Sequence, residues 1–163
     1  MISFLSSSAV LVCLVGALLA GCAGDEAEPL LTMELDCQAT IDLIDTPPDD
    51  YRIVLDGVAL PGPGTPHEIG RTDEASGLGF AKTGLLVRAG IASTITVADL
   101  EHRIGWGTSE IAQRIVIPPC AGAAEWLVYA GGFYVPEPAC MTLNVETENG
   151  SDKMRFPIDA PCP

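Results

Sequence analysis

His67 and His102 are the only imidazoles in the 163-residue chain, so a serine nucleophile with a conventional base would have to recruit one of them. The serines of the body of the chain are Ser76, Ser93, Ser109 and Ser151, and none sits in a G-x-S-x-G elbow. A hydrolase using His67 or His102 therefore depends on tertiary assembly: an imidazole brought within about 3.2 Å of a serine or carboxylate in a pocket. The same histidines with Asp73, Glu74, Asp99 and Glu101 carry metal-ligating atoms, but H-x-x-x-H, H-E-x-x-H and the alternating D-x-D-x-D-G spacing are all absent. No Gly-rich phosphate loop joins a strand to a helix. The expectation is no metal and no cofactor. Asn149-Gly150-Ser151 has the form of a glycosylation sequon, but a turn accounts for it more simply.

The other reactive atoms are thiols, and the first informative one is Cys22. Between Ile2 and Ala23 there is no Asp, Glu, Lys or Arg, and Ala9 to Ala20 is a dense run of Ala, Val, Leu, Cys and Gly. About a dozen apolar residues make a signal-peptide core, whereas a spanning helix needs roughly twenty. Leu19-Ala20-Gly21-Cys22 ends the run, and its small Ala20-Gly21 pair suits the narrow cleft of a signal peptidase. At every one of these positions the segment resembles the lipobox of bacterial lipoproteins. The departure is at the start, where Met1 to Ser8 carries no Lys or Arg. The resemblance implies cleavage before Cys22 and lipidation of that cysteine with diacylglycerol and palmitate. The product would be anchored by lipid to the extracytoplasmic face of the cell membrane. An uncleaved anchor is the competing reading. The implied organisation is a signal peptide over 1–21, an acylated cysteine and acidic linker over 22–32, and one domain over 33–163. Ala23 to Leu31 reaches at most roughly 30 Å when extended, so that domain would stay near the bilayer.

Export also bears on the remaining cysteines. With Cys13 in the signal and Cys22 at the lipid, the domain keeps Cys37, Cys120, Cys140 and Cys162, an even set that favours two disulfides. Four cysteines allow three pairings. We expect Cys120–Cys140 with Cys37–Cys162, because Cys120 ends one strand-like run and Cys140 begins the next. No pair has the short separation of a zinc knuckle or of a C-x-x-C redox motif.

The formal net charge of −14 belongs entirely to the sequence after the apolar run. Such a body repels phosphate backbones and anionic headgroups, which excludes nucleic acid as a partner and disfavours docking on acidic lipid. Membrane contact would then pass through Cys22 alone.

The elements that must position these residues read as strands. Met33 to Leu43 alternates apolar and polar without a break, which predicts one half-buried strand. Further strands are predicted over Tyr51–Leu60, Leu85–Arg88, Ile91–Val97, Ile111–Ile117, Trp126–Val135, Met141–Glu146 and Lys153–Ile158. Pro157 marks the last as an edge, and Asn149-Gly150 predicts a hairpin before it. Pro61 to Gly77, rich in Pro, Gly and charge, reads as a long loop of functional length. Short strands punctuated by Gly and Pro predict an all-β antiparallel sandwich, broadly Ig-like.

Aromatic residues are the positive hint of a binding surface. Trp106, Trp126, Tyr129, Phe133 and Tyr134 crowd two segments, and adjacent Phe133 and Tyr134 must point to opposite faces of a strand. An outward cluster would offer a surface for a glycan, a lipid or an envelope protein. Core packing, with Gly131-Gly132 as a bulge, is the preferred reading. Lys82 to Gly90, Ile104 to Gly107, and Trp126 with Tyr129 to Phe133 before Cys140 resemble a pattern in exported β-domain proteins of high-GC Gram-positive bacteria. That family has no established activity, so the resemblance implies a shared exported β-domain and transfers no catalytic or binding residue.

The functional expectation is a membrane-anchored extracytoplasmic lipoprotein that binds or builds rather than catalyses. Binding would show as an aromatic patch or open groove beside Pro61–Gly77. A lipid or small-ligand carrier would instead need an apolar cavity of several hundred cubic ångströms between the sheets, and a hydrolase would need His67 or His102 engaged as above. Mass spectrometry of the membrane fraction tests the anchor: Cys22→Ala should lose both acyl mass and processing, and unchanged processing would defeat the lipobox assignment.

Overall fold

The computed structural model describes residues 29–108 and 110–163; the lipobox with Cys22, and Ser109, lie outside them. Two sheets account for the strands among the described residues. The first runs β1 (Thr32–Glu34), β9 (Arg114–Ile117), β7 (Ser93–Val97), β11 (Ala139–Thr147), β12 (Gly150–Ile158). The second runs β2 (Asp42–Ile44), β10 (Trp126–Val135), β6 (Gly79–Arg88), β4 (Val58–Pro61), β3 (Tyr51–Val54). It also takes β5 (Ile69–Thr72) beside β6 and β8 (Arg103–Trp106) beside β10. Among the described strands β1 and β9 pair in parallel and the other ladders are antiparallel. Inward residues of both sheets, among them Ile95, Ile115, Leu143 and Phe156 facing Leu85, Val87, Tyr129 and Phe133, merge into one buried cluster. The chain is thus an all-β, sandwich-like protein.

Its backbone is the antiparallel ladder of β6 and β10, continuous from Trp126 opposite Arg88 to Val135 opposite Gly79. Alternation along both strands sends Ala81, Thr83, Leu85 and Val87 inward and Phe80, Lys82, Gly84 and Leu86 outward. The register passes Gly131-Gly132 without a shift, so the expected bulge there is corrected. Close approach explains both glycines. A Cβ at Gly131 would lie 2.0 Å from the Gly105 carbonyl oxygen, and one at Gly132 2.2 Å from that of Ala81.

Three other expectations change. Met33–Leu43 is not one strand: β1 and β2 belong to different sheets, and an Asp36-centred turn carries the chain across, with Gln38 N donating to Asp36 Oδ1. Tyr51–Leu60 splits into the β3–β4 hairpin at Leu55 and Asp56, whose φ values of 49° and 59° give the left-handed twist of a tight hairpin turn. Pro61–Gly77 holds strand β5, with a register shift between Ile69 and Arg71. The β11–β12 hairpin does form, turning at Glu148 and Asn149, and β12 is an edge strand as Pro157 indicated.

Strand direction fixes the disulfides as Cys37–Cys120 and Cys140–Cys162, correcting the expected pairing. β9 and β11 both run antiparallel to β7, so they point the same way. Cys120 follows one and Cys140 begins the other, which puts them at opposite ends of the sheet. β1 runs parallel to β9, so Cys37 and Cys120 leave the same end, while β11 and β12 are antiparallel, so Cys140 meets the tail after β12. Loop closure over sequence separations of 83 and 22 residues corresponds to about 4.5 and about 3.4 kcal/mol in the chain-entropy treatment. Removing Cys37–Cys120 as a double alanine variant should therefore lower the denaturation midpoint more than removing Cys140–Cys162. Non-reducing peptide mapping should recover the two bridges named here.

Candidate functional site

Outward positions of the β6–β10 ladder form the floor of an open groove of about 1260 Å³. Along that floor the cross-strand pairs are Tyr134 with Phe80, Gly132 with Lys82, and Ala130 with Gly84. The segment from Pro61 to Glu68 makes one wall, and β5 with Asp73 continues it. The groove therefore lies beside Pro61–Gly77.

Aromatic rings bound the groove at both ends. Tyr51 reaches across from β3 until its hydroxyl lies over Gly84, where a Cβ would stand only 2.7 Å away. At the other end Phe80 and Tyr134 pack with ring centroids 4.9 Å apart, and the Arg71 guanidinium covers Phe80 at 5.0 Å. Burial and the neighbouring Asp50 raise the Tyr51 pKa above its ordinary value, and burial with Asp73 raises that of Tyr134 against the opposing pull of Arg71. Both phenols thus keep their protons at neutral pH and serve as donors as well as acceptors. Asp73 accepts from the Ser76 hydroxyl at 2.7 Å and its amide at 2.9 Å, which holds its carboxyl below the usual carboxylate range.

Of the five aromatics weighed as a possible binding surface, Tyr134 alone lines the groove, and the other four are packed away. Trp106, Tyr129 and Phe133 are 0% exposed in the core, and Trp106 Nε1 donates to the Thr83 carbonyl at 3.0 Å. Trp126 faces outward yet is 1% exposed. It sits with Ala59 and Leu86 in a small cluster of its own, beneath the Arg88 guanidinium at 5.5 Å, which Asp56 and Glu125 hold in place. Tyr51, Phe80 and Lys82 also line the groove, beyond the residues the sequence singles out. The alternation of Gly79–Arg88 carries the signal for the latter two, because β6 begins at Gly79 and not at Leu85.

Neither imidazole hydrogen-bonds through Nδ1 to a serine or carboxylate among the described residues. His67 is 6% exposed and its ring packs edge-on to Phe133 and Phe156, with centroids 5.1 and 5.7 Å away. His102 is equally buried and lines a separate shallow cleft with Asp99 and Cys140. The Nδ1 atom of each is buried without a hydrogen-bond partner among the described residues. No three His, Cys, Asp or Glu side chains converge as a metal-ligand group among the described residues. The space between the sheets, where a carrier cavity was considered, is filled by core side chains, and the large groove lies outside it.

His67 also straps the groove wall to the first sheet. Its amide donates to the Pro157 carbonyl at 3.0 Å, and its carbonyl accepts from Asp159 N at 2.9 Å. Burial pushes the imidazole pKa below 6.5. Above that pH the ring is neutral in both folded and unfolded chains; below it the unfolded chain takes up a proton that the buried ring resists. Stability carried by this site should therefore fall as pH drops through and below 6.5. Thermal melts of the protein and of His67→Leu between neutral and mildly acidic pH should show a shallower decline for the variant. Parallel declines would remove His67 as the cause.

No protein-family model matches this chain, and no curated protein or solved structure is significantly similar to it.

Proposed function

We propose that this protein is a lipid-anchored extracytoplasmic binding lipoprotein whose ligand lies in the outer groove over β6 and β10. The observation that carries the reading is the groove itself: an open site, aromatic at both ends, on the best-braced ladder of the fold. Ligand sites favour such concave surfaces, with a few polar groups placed among apolar ones. Supporting the non-catalytic part, His67 is spent on core packing and backbone strapping. In this reading Cys22 supplies the membrane contact, the residues after it form the leash, and the two-layer antiparallel arrangement is Ig-like in the broad sense. The partner is a component of the cell envelope.

The groove can be tested without knowing the ligand. Ala130 is exposed on the floor beside Gly84, at the Tyr51 end, whereas Glu146 is exposed on the other sheet. A photo-crosslinking residue at Ala130 should give a light-dependent adduct in intact cells that the same residue at Glu146 does not. Equal labelling at the two positions, or labelling at Glu146 alone, would reject the groove as the site.

A further inference from the structure

We infer that the groove takes a neutral oligosaccharide, held with the apolar faces of its rings against Tyr51 and Tyr134. This inference rests on the binding role proposed above. The floor narrows the ligand first. β6 is paired with β10 over ten residues on one edge, and on the other with β5 as far as Ala81 and with β4 from Leu86, which leaves only the short stretch Lys82–Leu85 without a strand beside it. A peptide adding as a strand needs a free edge of useful length, and four residues closed off by β4 and β5 are too few for one. Tyr51 lies over Gly84 and the Phe80 ring over Gly132, so the small exposed Ala130 is the part of that face left open for a ring to rest on.

The walls narrow it further. Tyr51 over Gly84 and Tyr134 beside Phe80 are four residues apart along β6, roughly 13 Å in a strand. That span suits a short chain of rings better than a single one. Hydroxyls of Tyr51 and Tyr134, the Lys82 ammonium, and the carboxylates of Asp50 and Glu68 ring the floor with donors and acceptors. An acyl chain would leave these polar groups desolvated and unpaired, at a cost of about 1–3 kcal/mol for each one buried. A saccharide ring has an apolar C–H face for the aromatics and a hydroxyl edge for the polar groups.

Charge separates neutral from anionic saccharides. Arg71 and Asp73 offset one another on the β5 wall, leaving Lys82 against Asp50 and Glu68, so the groove has no cationic excess. The chain as a whole carries −14. A polyanionic glycan or a phosphate polymer would meet repulsion at the site and at longer range.

Calorimetry and affinity electrophoresis with cellohexaose, chitohexaose and mannohexaose, set against oligogalacturonate and polyphosphate, test the inference. At least one neutral hexasaccharide should bind. Tyr51→Ala should weaken it about tenfold, as expected for loss of one aromatic stacking contact with its buried area. Ala130→Trp should abolish binding by filling the floor, and an unchanged melting temperature for either variant separates lost contact from lost fold. Binding by no neutral probe, tighter binding of an anionic one, or binding that survives Ala130→Trp would each overturn the saccharide assignment. A crosslink at Ala130 without saccharide binding would reject this ligand class and leave the groove standing, whereas loss of both would reject the groove as well.

Discussion

The ten-residue pairing of β6 with β10 is the constraint on which the rest of the structure depends. One register sets both faces at once: Leu85, Val87, Tyr129 and Phe133 enter the core because Phe80, Lys82, Gly84 and Ala130 are turned outward. A slip of one residue would exchange the two sets, exposing the core and burying Lys82. Every other strand of that sheet is short and borrows its position from this ladder. β2 and β8 share the outer edge of β10, and β4 and β5 share that of β6. The Gly131-Gly132 step lets β8 and β6 close on β10 from both sides without breaking the pairing.

Closure of the two layers on one another is a matter of covalent and backbone straps rather than of surface charge. Cys37–Cys120 fastens the segment that crosses from β1 to β2, and Tyr129 reaches this bridge with its hydroxyl 3.7 Å from Cys120 Sγ. Cys140–Cys162 folds the tail back on the β11–β12 edge. On the opposite side of that edge, His67 and Asp159 join the groove wall to β12 through paired backbone hydrogen bonds. The Arg52–Asp152 ion pair, at 2.6 Å, spans the edge strands β3 and β12, but both side chains are well exposed, so solvent screens it and it adds little.

Charge is distributed with a comparable economy of partners. Only eight Lys and Arg side chains stand against twenty-two carboxylates. Arg88 is committed to Asp56, Glu125 and the face of Trp126, Arg52 to Asp152, and Arg155 to the Pro163 carbonyl. Arg71 lies over Phe80. Lys82 is left to stand exposed on the groove floor, which gives an otherwise acidic surface a local donor where aromatic rings are also gathered.

The sequence by itself determined the all-β character, the hairpin before β12, the edge position of β12 and the use of four cysteines as two bridges. Each of these follows from local physics: period-two alternation, turn residues, a missing amide proton, an even thiol count. It also put the long Pro- and Gly-rich segment Pro61–Gly77 at the surface, but that this segment walls a groove followed only from the pairing of β5 with β6. Which cysteines meet, which aromatics are buried, and that Met33–Leu43 is divided between two sheets were decided only by the tertiary structure. Alternation says that a residue faces one side of a strand but not what covers that side. Arg88 and its carboxylates bury the outward Trp126, while Tyr134 on the same face stays half-buried at the groove. Strand direction likewise has no signature in a run of alternating residues. It is set by how β7 seats between β9 and β11, and that seating alone brings Cys37 to Cys120 and Cys140 to Cys162.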